Sequence, residues 1–121
     1  MAPDAEPLVQ AWLSARCGVR VATGGKPTNA ALPLVTLSRT GTHSSAENDV
    51  DNMDYPVITV KSWAGTVPDA RALAGKVSAA MRHVTSQDYF TYCKEINKYQ
   101  ASGEAGECQY VAVYDLAMRQ E

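Results

Sequence analysis

An α+β domain, a small mainly antiparallel sheet with two helices packed on one face, is the fold class this sequence predicts. Three observations carry the prediction. Helical and strand-like periodicities follow one another in the order helix-strand-strand-strand-helix-strand-strand. The strand-like PVITVKSW (56–63) runs almost directly into a capped, alanine-rich helical stretch. Two strand-like segments near the C-terminal end are joined by SGEAGE (102–107), a glycine-containing, hairpin-like connection.

The first helix starts after Asp4, a suitable N-cap, and places Leu8, Val9, Trp12 and Leu13 on one face at three-and-four spacing. It should end near Gly18. Residues 19–21 (VRV) can form a short strand, and ATGGKPTNAA (22–31) has the glycine, proline and asparagine density of a loop. LVTLSR (34–39) is β-branched and apolar, with Pro33 tolerated at the strand start. In the 56–63 strand Ile58 and Val60 share one face, and Val57, Thr59, Lys61 and Trp63 the other. Apolar residues on both faces predict an interior strand, or an outer face that meets another subunit.

The second helix opens on Thr66-Val67-Pro68-Asp69, a capping box with proline in the first turn, where no amide is missed. Ala70, Leu73, Ala74, Val77, Ala80, Met81 and Val84 then form an apolar stripe whose alanines permit close approach to a sheet. Strands over 90–99 and 109–118 close the chain, with Tyr110, Ala112, Tyr114, Leu116 and Met118 on one side of the last. A turn centred near Glu104 sets Tyr99 near Cys108 or Gln109 and Cys93 near Asp115, too far out of register for a Cys93–Cys108 disulfide.

At 121 residues the chain suits one domain, 1–121, that buries roughly two thirds of its unfolded surface. With 45% hydrophobic and 20% charged residues and no apolar run near the ~20 needed to span a bilayer, it reads as soluble, with no membrane partner. MAPDAEP is acidic and lacks the apolar core of a secretory signal. The formal net charge of -2 and scattered bases offer no clustered grip on nucleic acid. Cys17, Cys93 and Cys108 contain no CxxC pair and read as free thiols in a reducing compartment.

The most unusual stretch is AENDVDNMDYP (46–56), with Glu47, Asp49, Asp51 and Asp54 and no base among them. A calcium loop needs glycine at its sixth position and a bidentate acid at its twelfth. Counting from Asp49 gives Asp54 and Val60 there, and counting from Glu47 gives Asn52 and Ile58, so both registers fail. Flanking Asn and Ser predict hydration, which works against the raised pKa that a catalytic carboxylate pair requires. His43 and His83 have no HxxxH or HExxH spacing, so no metal site is expected. Cys93, His83 and Asp88 could be assembled in space as nucleophile, base and orienter, although a helix-terminal His83 is the simpler reading. Gly24-Gly25-Lys26 lacks the frame of a phosphate loop.

The order of elements and one local signature, YPVITVKSWA (55–64) followed by DARALA (69–74), resemble the tail-terminator proteins of long-tailed bacteriophages, also described as tail-completion or minor tail proteins. The likeness spans most of the chain, and its motifs are packing patterns. It implies a structural virion protein at the head-proximal end of the tail, present in the host cytoplasm during assembly. The implied subunit forms a homo-oligomeric ring, a hexamer, that caps the tail tube protein, stops its elongation and docks the head-tail connector or neck protein. It further implies no enzymatic activity, no catalytic residues and no cofactor.

A ring uses heterologous contacts, one surface of each subunit meeting a different surface of the next. Trp63, Lys61, Tyr110 and Tyr114 are the candidates for that interface. The connection at about 40–55 is too long for a tight hairpin and is expected to extend as a polar arm. DNA must pass through the channel without specific binding, and carboxylates repel phosphate where lysines would hold it. Glu47, Asp49, Asp51 and Asp54 are therefore expected near the ring lumen or the tube-facing rim. Three alternatives stay open: a neck or head-completion ring protein, a small ligand-binding domain with a pocket under the second helix, and a nucleic-acid binder using Tyr89, Tyr92 and Tyr99 with Lys94 and Lys98.

Overall fold

The computed structural model describes residues 4–25, 31–42, 53–102 and 107–119. Helix α1 (Ala5–Cys17) follows Asp4, whose extended backbone serves as the N-cap without a side-chain capping bond. It stops at Gly18, at φ 70°, a left-handed conformation that costs a residue without Cβ little. Val9 and Leu13 are fully buried, and Leu8 and Trp12 pack beside them. The Trp12 indole donates to the Ala80 carbonyl at 2.8 Å and so ties α1 to the second helix.

The strands are β1 (Arg20–Thr23), β2 (Leu34–Thr42), β3 (Met53–Asp54), β4 (Pro56–Ala64), β5 (Phe90–Ser102) and β6 (Cys108–Arg119), and α2 (Val67–Met81) precedes a 3-10 turn at Val84–Ser86. The sheet runs β1-β2-β4-β6, with β5 on the free side of β6. β1 pairs with β2 in parallel and the remaining pairs are antiparallel. The fold is thus α+β, with the predicted order of elements plus the short β3 and the 3-10 turn.

β3 keeps the register of β4 against β6. Met53 faces Arg119, Asp54 faces Met118 and Val57 faces Asp115, so β3 and β4 behave as one strand interrupted at Tyr55. Because β2 runs on to Thr42, the sheet holds both ends of the segment expected to be an arm. Residues 43–52 of that segment lie outside the described residues.

Both helices lie on one face. α1 rests on β1, β2 and α2, and α2 rests on β4 and β6. The Thr66 hydroxyl accepts from the Asp69 amide at 3.2 Å, completing the predicted cap. The whole predicted stripe from Ala70 to Val84 is buried. It meets Ile58 and Val60 of β4 and Ala112, Tyr114, Leu116 and Met118 of β6 in one core. Each fully buried Leu, Ile or Val there contributes roughly 1.5–3 kcal/mol of transfer free energy.

The C-terminal hairpin forms in a different register from the one the sequence predicts. Tyr99 faces Val111, Cys93 faces Leu116 and Cys108 faces Ser102. The shift begins at the connection, since Ser102 opposite Cys108 centres it one residue past Glu104; two bulges, between Glu95 and Asn97 and between Phe90 and Tyr92, then step the register back, so that Phe90 faces Met118. Cys93 and Cys108 remain eight β6 positions apart, roughly 27 Å at strand rise, and all three cysteines are free thiols.

Candidate functional site

β5 is the longest strand and borders the sheet, resting chiefly on β6 and the 3-10 turn. A strand border presents unpaired backbone groups and is normally kept short, charged or covered. Here Tyr92, Ile96 and Tyr99 are 45%, 48% and 48% exposed, and among the described residues these are the large hydrophobic side chains that reach solvent. Residues directly opposite in an antiparallel pair share a face. Tyr92 opposite Ala117 and Tyr99 opposite Val111 therefore lie on the side away from the helices. Lys94 stands there too, opposite Asp115 of β6.

Behind this edge, a cleft of about 380 Å³ separates α2 from β5, lined by Ser78, Met81, Arg82, Cys93, Glu95, Lys98 and Tyr114. One Glu95 carboxylate oxygen accepts from the Ser78 hydroxyl at 2.7 Å and from the Tyr114 hydroxyl at 2.8 Å. The Lys98 ammonium donates to Ser78 Oγ at 3.1 Å. Burial raises the Tyr114 phenol well above its ordinary value, and the Glu95 charge adds to this against the Ser78 bond. The cluster is satisfied within itself and stitches β5 to α2 and β6. A ligand-binding reading expects polar groups converging on this side of α2. The apolar stripe supplies none, but Ser78 beside it and two residues of β5 do.

A second concavity, of about 430 Å³, lies between α2, the starts of β1 and β2 and the end of β4. Val19, Leu32, Pro33, Ala64, Gly65, Ala72 and Leu73 line it, with the exposed Asp69 and Lys76 of α2 at its rim. Its lining is apolar and its rim carries one charge of each sign.

The residues singled out from sequence distribute unevenly. Glu47, Asp49 and Asp51 lie outside the described residues. Asp54 is engaged with Arg39, whose two terminal nitrogens each donate to one carboxylate oxygen at 2.8 Å. That hydrogen-bonded guanidinium holds the Asp54 carboxyl below its ordinary value. Arg39 also donates to the Gly41 carbonyl and the Thr42 hydroxyl, so β2 and β3 are joined where residues 43–52 depart. Lys61 is exposed on the open sheet face. Trp63 on that face is 9% exposed, and its indole donates to Thr36 Oγ1 at 3.0 Å. Tyr110 is half-buried and accepts from Arg71 Nε at 3.0 Å, while Tyr114 is buried in the protomer's own core.

Burial, reinforced by the Glu95 charge, pushes the Cys93 thiol up to about 12. A nucleophilic cysteine needs the opposite shift. Among the described residues no group of three His, Cys, Asp or Glu is placed to hold a metal ion, and no helix is long and apolar enough to cross a membrane.

No family model and no curated protein matches the sequence. Among solved structures, a chain in the virion of a native gene transfer agent particle is similar to it, with a TM-score of 0.70 and 15% identity. The likeness covers 95% of this chain and 94% of that one. A crystal structure from Akkermansia muciniphila has a TM-score of 0.48 at 11% identity, covering 95% of this chain and 48% of the other. At these identities the likeness to the virion chain is one of fold, extending from end to end.

Proposed function

We propose that this chain is a structural virion protein, the ring-forming subunit of a phage-type tail terminator that caps the tail tube and receives the head connector. The observation that carries the reading is the end-to-end fold match to a chain of a gene transfer agent virion. The resemblance of YPVITVKSWA and DARALA to tail terminators supports the finer assignment. A long, aromatic border strand also suits a subunit that works only in an assembly, where such a border becomes a joint.

On this reading the subunit is not an enzyme. Its partners are further copies of itself in a hexameric ring, the tail tube protein and the neck protein. Glu47, Asp49 and Asp51 lie at the lumen or the tube-facing rim, and Asp54, its charge matched by Arg39, fixes the base of the arm that carries them. A ring structure with all four acids on the outer circumference would refute that placement.

The fold match serves a neck or head-completion ring protein equally well, and loss of the protein separates the two. Particles assembled without it should carry overlong tails if it is a terminator. Finished tails of normal length that fail to join heads would assign it to the neck.

A further inference from the structure

The two borders of the sheet differ: one is capped and the other is open. At the β1 border the Gln10 side chain of α1 donates to the Val21 carbonyl at 2.9 Å, the Arg39 amide of β2 donates to Glu6 of α1 at 2.9 Å, and the Gly24 amide donates to the Leu37 carbonyl at 2.8 Å. Backbone groups that a further strand would need are therefore taken there. At the other border, no strand but β6 pairs with β5 among the described residues. From Thr91 to Gln100 every residue of β5 is exposed except the half-buried Cys93.

We propose that β5 pairs antiparallel with β5 of a second copy, about a two-fold axis between Ile96 and Asn97, so that the two sheets become one. A 13-residue border of backbone donors and acceptors is matched by another extended strand. With the β1 border capped, the open strand that a second copy offers is its own β5. The joint is isologous and saturates at two copies, so it goes beyond the ring reading, whose contacts are heterologous. It covers the border of a subunit that has not reached a tube.

Face and charge select the register. Cys93, Glu95, Lys98 and Gln100 stand opposite Leu116, Tyr114, Ala112 and Tyr110 on the helix side of β6. Tyr92, Lys94, Asn97, Tyr99 and Ala101 stand opposite Ala117, Asp115, Val113, Val111 and Gln109 on the open side. Opposite residues of an antiparallel pair share a face. Setting Glu95 opposite Lys98 of the second copy keeps the faces together: Gln100 meets Cys93, Lys94 meets Tyr99, and Tyr92 meets Ala101. A shift of one residue either way sets the two faces against each other, and in one direction it also opposes Lys94 to Lys98. In the chosen register no like charges stand opposite, and Lys94 gains the Tyr99 ring of the second copy beside Asp115 of its own β6. Glu95 holds Ser78 and Tyr114 through a single carboxylate oxygen, so that cluster stays intact in the pair. The Lys98 amide is held by Asn97 Oδ1 at 2.9 Å, an exposed side chain at the centre of the joint that turns aside when a strand pairs there.

Sedimentation of the free protein at rising concentration tests the joint, with circular dichroism and thermal melting to check that each variant folds. Wild type should show a reversible monomer–dimer step. Tyr99→Lys, at an exposed position, sets a like charge opposite Lys94 twice per pair and should weaken that step roughly tenfold. Tyr99→Glu, which opposes Lys94 with the opposite charge, should keep it. The double variant Tyr92→Cys/Ala101→Cys should cross-link between copies into a reducible dimer under mild oxidation, because within one copy these positions lie more than roughly 25 Å apart. Tyr92→Cys/Tyr99→Cys should not. A wild type that stays monomeric, equal effects of the two charges at Tyr99, or cross-linking through Tyr99→Cys in place of Ala101→Cys would overturn the joint and leave the ring reading standing. A dimer that behaves as described but never caps tail tubes would instead remove the ring reading. Single-stranded DNA that binds monomeric wild type and not Tyr99→Glu would give the border to nucleic acid and also overturn the joint.

Discussion

Arg39 and Asp54 face each other across the base of the 43–52 segment in a two-pronged ion pair, both contacts at 2.8 Å. Such forked geometry is the stronger form of a guanidinium–carboxylate contact. It sits at a part-exposed position, with side-chain exposures of 33% and 24%, so solvent screening limits its worth. Asp54→Asn should lower unfolding free energy by about 0.5–1 kcal/mol, read from urea melts at neutral pH.

The same pair makes a pH prediction. Asp54 has its carboxyl lowered in the folded state, so its contribution is complete above the unfolded carboxylate range, near pH 4, and is lost as pH falls through the folded value. Wild type and Asp54→Asn should therefore differ at pH 7 and converge in strong acid. A gap in urea midpoint that stays constant down to the most acidic point would contradict the assignment.

The Tyr114–Glu95–Ser78 cluster should be structural. Tyr114→Phe keeps the ring in the core and removes one hydrogen bond to Glu95, which retains Ser78. The expected cost is about 1 kcal/mol in chemical denaturation, with secondary structure unchanged. Tyr114→Ala, which also empties core volume, should cost several times more, on the order of 3–5 kcal/mol by analogy with other buried aromatics.

Thiol chemistry should follow burial. Cys17 and Cys93 both have their thiols raised, chiefly by desolvation, so few thiolates exist at pH 8. Alkylation of these two in the folded protein should be slower by an order of magnitude or more than in urea, as followed by peptide mass mapping. Rapid modification of Cys93 in the native protein would contradict the placement of β5 against the core.

Much of the fold was legible because it rests on local signals. Asp4, Gly18 and Thr66 mark helix ends, and the stripe from Ala70 to Val84 and the alternation in 57–63 declare their buried faces. The hairpin register was not legible, since the connection centres one residue past Glu104 and the bulges at Phe90/Tyr92 and Glu95/Asn97 depend on what β5 meets. The polar cluster was missed for the same reason: Glu95 reaches Tyr114 only in the bulged register. The interface candidates drew on aromaticity, which marks cores and joints alike. Trp63 and Tyr114 pack inside the protomer, whereas Tyr92, Ile96 and Tyr99 stand exposed. Parity along β4 placed Trp63 on the open face, but the Thr36 hydroxyl that receives its indole could not be read from a single strand.

Trp63 carries a prediction of its own. Trp63→Phe removes the indole bond to Thr36 at a nearly buried site, so it should cost about 1 kcal/mol in stability and leave assembly intact.

The most direct test of the central claim is electron microscopy of the purified protein mixed with purified tail tubes. Closed rings, one capping an end of each tube, are the expected result. Tubes with bare ends, beside protein that stays monomeric at every concentration, would contradict the assignment.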